Sequence, residues 1–349
     1  MSSTTTPVPA DRRTAGWTPR SRVWRGTETV VADVPVSELS DRLAQDPNSR
    51  AWWWVPRHRS ALAETARLFD LDDFAIEDVL SDREPPKLDV VGSTVIVIGA
   101  LVTFDAPTDQ LDKDRVAILA TDRMLAVIAD RAAAQPLVRR LADAAGGLAV
   151  DGVPAGLHVL VDLMVHTQGQ ALLAIADAAD ELTTSLFDDK PMNRADQLRA
   201  FRIRQAIAGM RRVSAPFAEL AADLAGAAGR PAADDDPAAG LLHGATARRF
   251  EDVCDHARHA ARETDTVREM LSSAYETNLA LSDVHLNVIM KKLSAWAAII
   301  AVPTLITGFL GMNVPYPGFG ETRGFVVGTL VIVIAASGLF TLFKRKDWL

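Results

Sequence analysis

The chain has 349 residues and carries 37 Lys and Arg against 45 Asp and Glu, a formal net charge of −8. That balance argues against nucleic acid as a partner, because phosphate binding needs concentrated Lys and Arg, and it suits a surface that meets cations. The length predicts more than one compact domain, and the one cysteine, Cys254, excludes a disulfide framework and any cysteine-based metal site.

Residues 1–20 contain no apolar run of the kind a signal peptide needs and read as a disordered tail. Residues 21–150 read as an α+β domain, a mixed sheet with flanking helices, ordered from about Trp24. Short stretches rich in Val, Ile and Trp predict strands at Thr29–Val34, Ala51–Val55, Lys87–Val91, Thr94–Phe104, Arg115–Ala120 and Met124–Ala129, with a tight turn at Asp122-Arg123. Helical patterns lie between them at Val36–Gln45, His58–Phe69, Asp73–Leu80 and Gln135–Ala145. Crossovers and hairpins are both present, so the sheet should mix parallel and antiparallel pairs. The domain has no phosphate-cradling glycine motif, no zinc-protease helix and no paired carboxylates at a catalytic spacing. It reads as a regulatory or scaffolding domain, and the chain as a non-enzyme.

From Pro154 the pattern changes to long helices, which occupy residues 154–239: Leu157–Phe187, then Arg194–Ala228, broken by Arg230–Pro237. Residues 240–311 read as one stalk helix. Its apolar positions, Phe250, Val253, Ala257, Ala260, Val267 and Leu271 among them, recur at threes, fours and sevens. As a single helix it would be about 110 Å long at 1.5 Å per residue, a rod joining the first domain to a membrane segment.

That segment is the uncharged run at about 293–311, long enough to cross a bilayer at roughly 20 residues per 30 Å. A loop at 312–323 follows, then a second uncharged span at 324–343 and a basic tail at 344–349. Lys291 and Lys292 precede the first span and Lys344, Arg345 and Lys346 follow the second, while the loop carries only Glu321 and Arg323. The positive-inside rule then predicts a multi-pass protein with both termini cytoplasmic and the loop outside, and the membrane is expected to be the plasma (inner) membrane.

On a helical wheel Asn287, Met290, Leu293, Ser294, Ala297, Ala301, Thr304, Leu305, Gly308 and Gly311 share one arc of about 120°. The arc is small or polar for a membrane helix. Close helix packing is one explanation. The other is a pore, which one narrow stripe cannot enclose unless several copies surround an axis. Pro303 removes one backbone hydrogen bond beside the stripe.

Gly311-Met312-Asn313 directly after the first span, a second span, and the terminal KRKDWL resemble the CorA family of magnesium transporters. So do Asn287-Val-Ile-Met290-Lys291-Lys292-Leu293 at the inner end of the span, Pro303-Thr304-Leu305-Ile306 in its middle, and Ile76-Glu77-Asp78-Val79-Leu80 followed by Pro86-Lys87 in the first domain. The resemblance covers the chain from about residue 20 to Leu349.

It implies a funnel-shaped homopentamer with five first-span helices around the pore and five second-span helices outside them, seated in the lipid bilayer. It implies transport of Mg²⁺, with Co²⁺ as a further ion, gated by intracellular Mg²⁺. Five Asn313 oxygens at the mouth and Thr304 deeper in would meet the hydrated ion, which gives up its waters reluctantly. Gly308 and Gly311 would keep the passage wide, with Met312 completing the mouth motif. Met290 and Leu293 would form apolar constrictions and Asn287 a polar ring at the inner end. Asp105 and Asp255 would bind regulatory Mg²⁺ between neighbouring subunits. The acidic pair that the family can carry on the first long helix is absent from Val165-His166-Thr167, and the outer loop holds one acid, Glu321. Two other readings stay open: a Zn²⁺, Co²⁺ or Ni²⁺ transporter on the same scaffold, and a non-transporting membrane scaffold. Met312 and the lack of His and Cys in the stripe favour magnesium.

Overall fold

The structure is a computed structural model. It describes residues 21–25, 28–144, 150–186, 194–231, 236–242, 247–312, 315 and 317–349, with the backbone alone at 28–31. By internal contacts the chain divides into two compact units that meet at Leu271 and Ser272.

The first unit is built on a seven-stranded sheet. Its strands are β1 (Ser21–Arg25), β2 (Glu28–Ala32), β3 (Ser49–Pro56), β4 (Lys87–Val91), β5 (Thr94–Asp105), β6 (Gln110–Ala120) and β7 (Met124–Ala129), in the order β2-β1-β3-β7-β6-β5-β4. All pairs are antiparallel except β3 with β7, where Trp52 faces Leu125 and Trp54 faces Val127. The expected mixture of pairings is therefore present. Strand β5 reads as an unbroken apolar run because both of its faces are covered: Thr94 to Val102 are all buried.

The tryptophans of β3 show how the two faces are filled. Successive side chains alternate across a strand, so Trp52 and Trp54 enter one core while Ala51, Trp53 and Val55 enter the other. Each buried indole needs a partner for its N–H. Trp53 Nε1 donates to Thr65 Oγ1 at 3.1 Å, and Trp54 Nε1 donates to the Ala129 carbonyl at 3.0 Å.

Helices α1 (Val36–Gln45), α2 (Arg59–Leu68) and α3 (Asp73–Leu80) cover the Trp53 face. Helix α3 starts where Asp72 accepts from the Ala75 N–H at 2.7 Å, a side-chain N-cap. Helices α4 (Arg131–Asp143), α5 (Val153–Leu186) and α6 (Arg194–Gly229) contribute the opposite core, with the short α7 (Pro237–Leu242) and the start of α8 (Ala247–Leu310). Helix α5 crosses β5 at Gly99, where an added β-carbon would lie 2.7 Å from Met164 Sδ. With any side chain at 99, Met164 would have to shift.

Several boundaries differ from the sequence reading. The sheet begins at Ser21, three residues before Trp24, because pairing with β3 extends β1 beyond its apolar residues. Strand β6 begins at Gln110 rather than Arg115, since the hairpin with β5 continues through polar residues to Asp105 opposite Gln110. Helix α4 starts at Arg131 and contains Pro136. Of the helix expected from Gly240, α7 holds the residues up to Leu242 and α8 those from Ala247, and residues 243–246 lie outside the described residues.

The second unit holds α8 from Ser272 onward and α9 (Thr322–Arg345). Three helices among the described residues are long and apolar enough to cross a membrane: α5, α8 and α9. Half of the apolar window of α5 is buried inside the protein, against 6% in α8 and in α9. The apolar length of α5 is thus accounted for by the sheet it covers: Leu157, Leu160, Val161 and Met164 lie in the core.

Candidate functional site

The stripe lies on the second half of α8, whose apolar residues have few protein neighbours. Asn287, Ser294, Ala297, Ala301 and Thr304 are exposed, as are Met290 at 60% and Leu293 at 63%. Trp296, Ile300 and Phe309 on the rest of the helix are exposed too, so exposure alone does not distinguish the stripe. Its chemistry does, by gathering the small and oxygen-bearing residues on one side.

Thr304 Oγ1 donates to the Ile300 carbonyl at 2.8 Å, and Thr307 Oγ1 donates to the Thr304 carbonyl at 2.9 Å. A hydroxyl that donates back into its own helix still has acceptor lone pairs to offer outward. Pro303 lacks the N–H that would reach the Ile299 carbonyl. No atom comes within 4 Å of the position a β-carbon would take on Gly308. At the helix end the Gly311 N–H reaches the Thr307 carbonyl at 2.9 Å, and the Met312 N–H reaches the Phe309 carbonyl at 3.2 Å, a tightened last turn. Met312 is exposed. Asn313 lies outside the described residues.

Near its start α9 is approached closely at two glycines, by the end of α8 and by the segment that joins the helices. A β-carbon on Gly328 would lie 2.7 Å from Leu310 Cδ1, and one on Gly324 would lie 2.1 Å from the Gly318 carbonyl oxygen. Between the helices runs an apolar groove of about 550 Å³ lined by Ile306, Phe309, Val327 and Val331, with Arg323 its one charged residue. It offers no oxygen cage for a small cation. At the other end of α9, Phe343 stacks on Trp348 with centroids 5.6 Å apart, and the Trp348 N–H donates to the Phe343 carbonyl at 3.0 Å.

In the first unit Asp105 ends β5. It is exposed, and its carboxylate accepts a short hydrogen bond from Thr108 Oγ1. Asp255 is exposed on α8, next to the buried Cys254, whose thiol burial pushes up. Hard oxygen donors of this kind suit Mg²⁺. Among the described residues no group of three or more His, Cys, Asp or Glu could hold a metal.

Two features escaped the sequence reading. Asp109 sits in the β5–β6 turn at φ +54°, is only 4% exposed, and reaches Arg199 at 3.4 Å and Arg202 at 4.0 Å on α6. Its signal is a short polar turn with Asp at a left-handed position, which Asp tolerates, but the partner lies 90 residues away in sequence. The second is Lys87, which reaches Asp78 at 2.7 Å and Glu84 at 2.8 Å. Burial opposes the Lys87 charge, yet the two carboxylates outweigh it and hold the ammonium well above the ordinary lysine range.

A family model described as CorA-like Mg2+ transporter protein matches residues 53–345. The chain is 24% identical over 296 residues to the cobalt/magnesium transport protein CorA of Thermotoga maritima, an alignment covering 84% of this chain and 81% of that one. The fold is similar to the complete CorA magnesium transporter of Methanocaldococcus jannaschii, with a TM-score of 0.72, 16% identity and coverage of 94% of this chain and 98% of that one. It is also similar to the full-length CmaX protein, with a TM-score of 0.69, 20% identity and the same two coverages. The shared architecture is a mixed sheet with flanking helices followed by long helices.

Proposed function

The chain belongs to the CorA-like Mg2+ transporter family, a family of transporters and not of enzymes, and from that premise we propose that it carries Mg²⁺ across the plasma membrane as a homopentamer. The name of the Thermotoga maritima relative, which pairs cobalt with magnesium, extends the reading to Co²⁺. The observation that carries the proposal is the stripe on α8. Small and oxygen-bearing residues lie on one side of a helix whose apolar residues have few protein neighbours. Several copies are needed to close such a stripe into a passage.

Helix α8 from about Leu293 and helix α9 are the two spans, and α5 is not a third, because its apolar face is already used by the sheet. The basic residues Lys291, Lys292, Lys344, Arg345 and Lys346 mark the cytoplasmic side. Mg²⁺ holds its water shell tightly, so it is recognised through those waters by oxygen rings. Asn313 and Gly311 with Met312 form the outer mouth, and Thr304 the next ring of oxygens. The missing side chain of Gly308 leaves room for the shell. Met290 and Leu293 constrict the inner half, where an apolar ring closes by dewetting, and Asn287 lies below them.

Intracellular Mg²⁺ bound by Asp105 and Asp255 of neighbouring subunits favours the closed state, and its loss shifts the population towards the open one. Both carboxylates are exposed and hard, which fits that role.

The test is Mg²⁺ uptake into liposomes holding the purified protein, with low and high Mg²⁺ on the cytoplasmic face. Uptake at low internal Mg²⁺, suppressed at high, is expected; Asp105→Ala and Asp255→Ala should weaken the suppression. Uptake of Zn²⁺ without Mg²⁺ would replace the reading with the zinc alternative, and no flux of any divalent ion would leave a membrane scaffold.

A further inference from the structure

The hairpin that ends in Asp105 and Asp109 leaves a cleft of about 340 Å³ between β6 and α6. That volume is at the small end of ligand sites, roughly 300–1,000 Å³, and suits a compact molecule rather than a peptide or lipid. On the α6 side Arg202, Gln205, Gly209 and Arg212 recur at threes and fours and share one face. Gly209 lets the hairpin close in, since its β-carbon would lie 3.0 Å from Leu111 Cδ2. Across from them β6 supplies Lys113 and Asp112.

The charges in this cleft are not balanced. Asp109 is already engaged by Arg199 and Arg202, and Arg199 also reaches Glu181 at 2.8 Å. Arg212 and Lys113 have no ion-pair partner among the described residues, although Asp112 lines the same cleft. Burial disfavours the Lys113 ammonium first, and the guanidinium groups of Arg212 and Arg115 disfavour it further. Two cations from different elements, brought together at a concave surface where Asp112 is the one lining carboxylate not engaged by Arg199 and Arg202, form a receptor for a multiply charged anion.

We propose that this cleft binds a phosphate-bearing small molecule, its phosphate bridging Lys113 Nζ and the Arg212 guanidinium, with Gln205 as a neutral donor beside them. Arginine and lysine together suit phosphate, the one as a planar fork and the other as a point charge. The inference does not depend on the transport reading.

The test is calorimetric titration of the full-length protein in detergent, in buffer free of divalent cations, with inorganic pyrophosphate and separately with AMP. We expect binding by at least one of them, weakened at least tenfold by Lys113→Ala and by Arg212→Ala, and kept by Lys113→Arg. Arg83→Ala, outside the cleft, should leave it unchanged, and raising the salt should weaken it. Pyrophosphate alone binding identifies an inorganic ligand, and AMP binding identifies a nucleotide; both support the site. No binding by the wild type, as when a neighbouring subunit covers the cleft, overturns the proposal. So does binding that survives in both alanine variants.

Discussion

Leu310 Cδ1 lies 2.7 Å from the place a β-carbon would occupy on Gly328. The last residue of α8 thus packs against the backbone of α9 because Gly328 has no side chain. Close approach through a small residue is how membrane helices associate when no water is expelled between them. We expect Gly328→Leu to lower thermal stability in detergent by about 1–3 kcal/mol, the usual range for overpacking. Adding Leu310→Ala should recover part of the loss, because the shortened side chain gives back the space. Additive losses in the double variant would place the strain elsewhere.

Lys87 and Asp78 link the edge strand β4 to α3 at 2.7 Å. Both side chains are partly exposed, at 29% and 34%, so solvent screening limits the pair to about 1 kcal/mol. Lys87→Met should destabilise the first unit by about that amount. The ammonium is held above its ordinary range, so its contribution is full below the ordinary lysine range and lost only as pH rises through the raised value. The stability difference between wild type and variant should therefore stay flat from about pH 6 to about pH 9. A difference that grows or shrinks across that window would assign the effect to another group.

These residues also show what a sequence reveals and what it withholds. Helix Val36–Gln45 and strands Lys87–Val91 and Met124–Ala129 have the bounds their patterns gave, because turn residues flank each short run. Asp78 and Lys87 lie in the two segments of the first domain that carry the family resemblance, but their contact is a property of the fold. Asp109 pairs with Arg199 across 90 residues, a distance no local pattern spans. The stripe on α8 was legible because helical period places residues on faces without tertiary information. The passage proposed for it would need other copies of the chain, which one sequence does not display.

His158 on α5 packs edge-on against Phe250 on α8, with ring centroids 5.6 Å apart. Burial lowers its pKa; Asp162, a backbone hydrogen bond at Arg249 and Asp252 oppose this, and the Arg249 charge adds to it. A depressed pKa in the fold means that the unfolded chain binds the proton more readily. Stability is therefore full above the ordinary imidazole range and falls as pH drops through it. We expect His158→Leu to lose less stability than the wild type between about pH 7 and about pH 5. Equal losses in both would contradict a lowered pKa at this half-buried imidazole.

Thr304 is exposed on the stripe with its hydroxyl donating to the Ile300 carbonyl. Thr304→Val keeps the shape and removes the oxygen. If that oxygen meets the hydrated ion, Mg²⁺ uptake should fall several-fold while thermal stability changes by about 1 kcal/mol or less. Uptake equal to wild type would remove Thr304 from the pathway and leave it as a packing residue.

The most direct measurement follows Mg²⁺ with an indicator dye inside liposomes that hold wild-type protein or Asn313→Ala, at low internal Mg²⁺. The wild type should fill the vesicles, and the variant, with its oligomer intact by size-exclusion chromatography, should not. An intact variant that transports as fast as wild type would contradict a passage whose outer mouth is formed by Gly311, Met312 and Asn313.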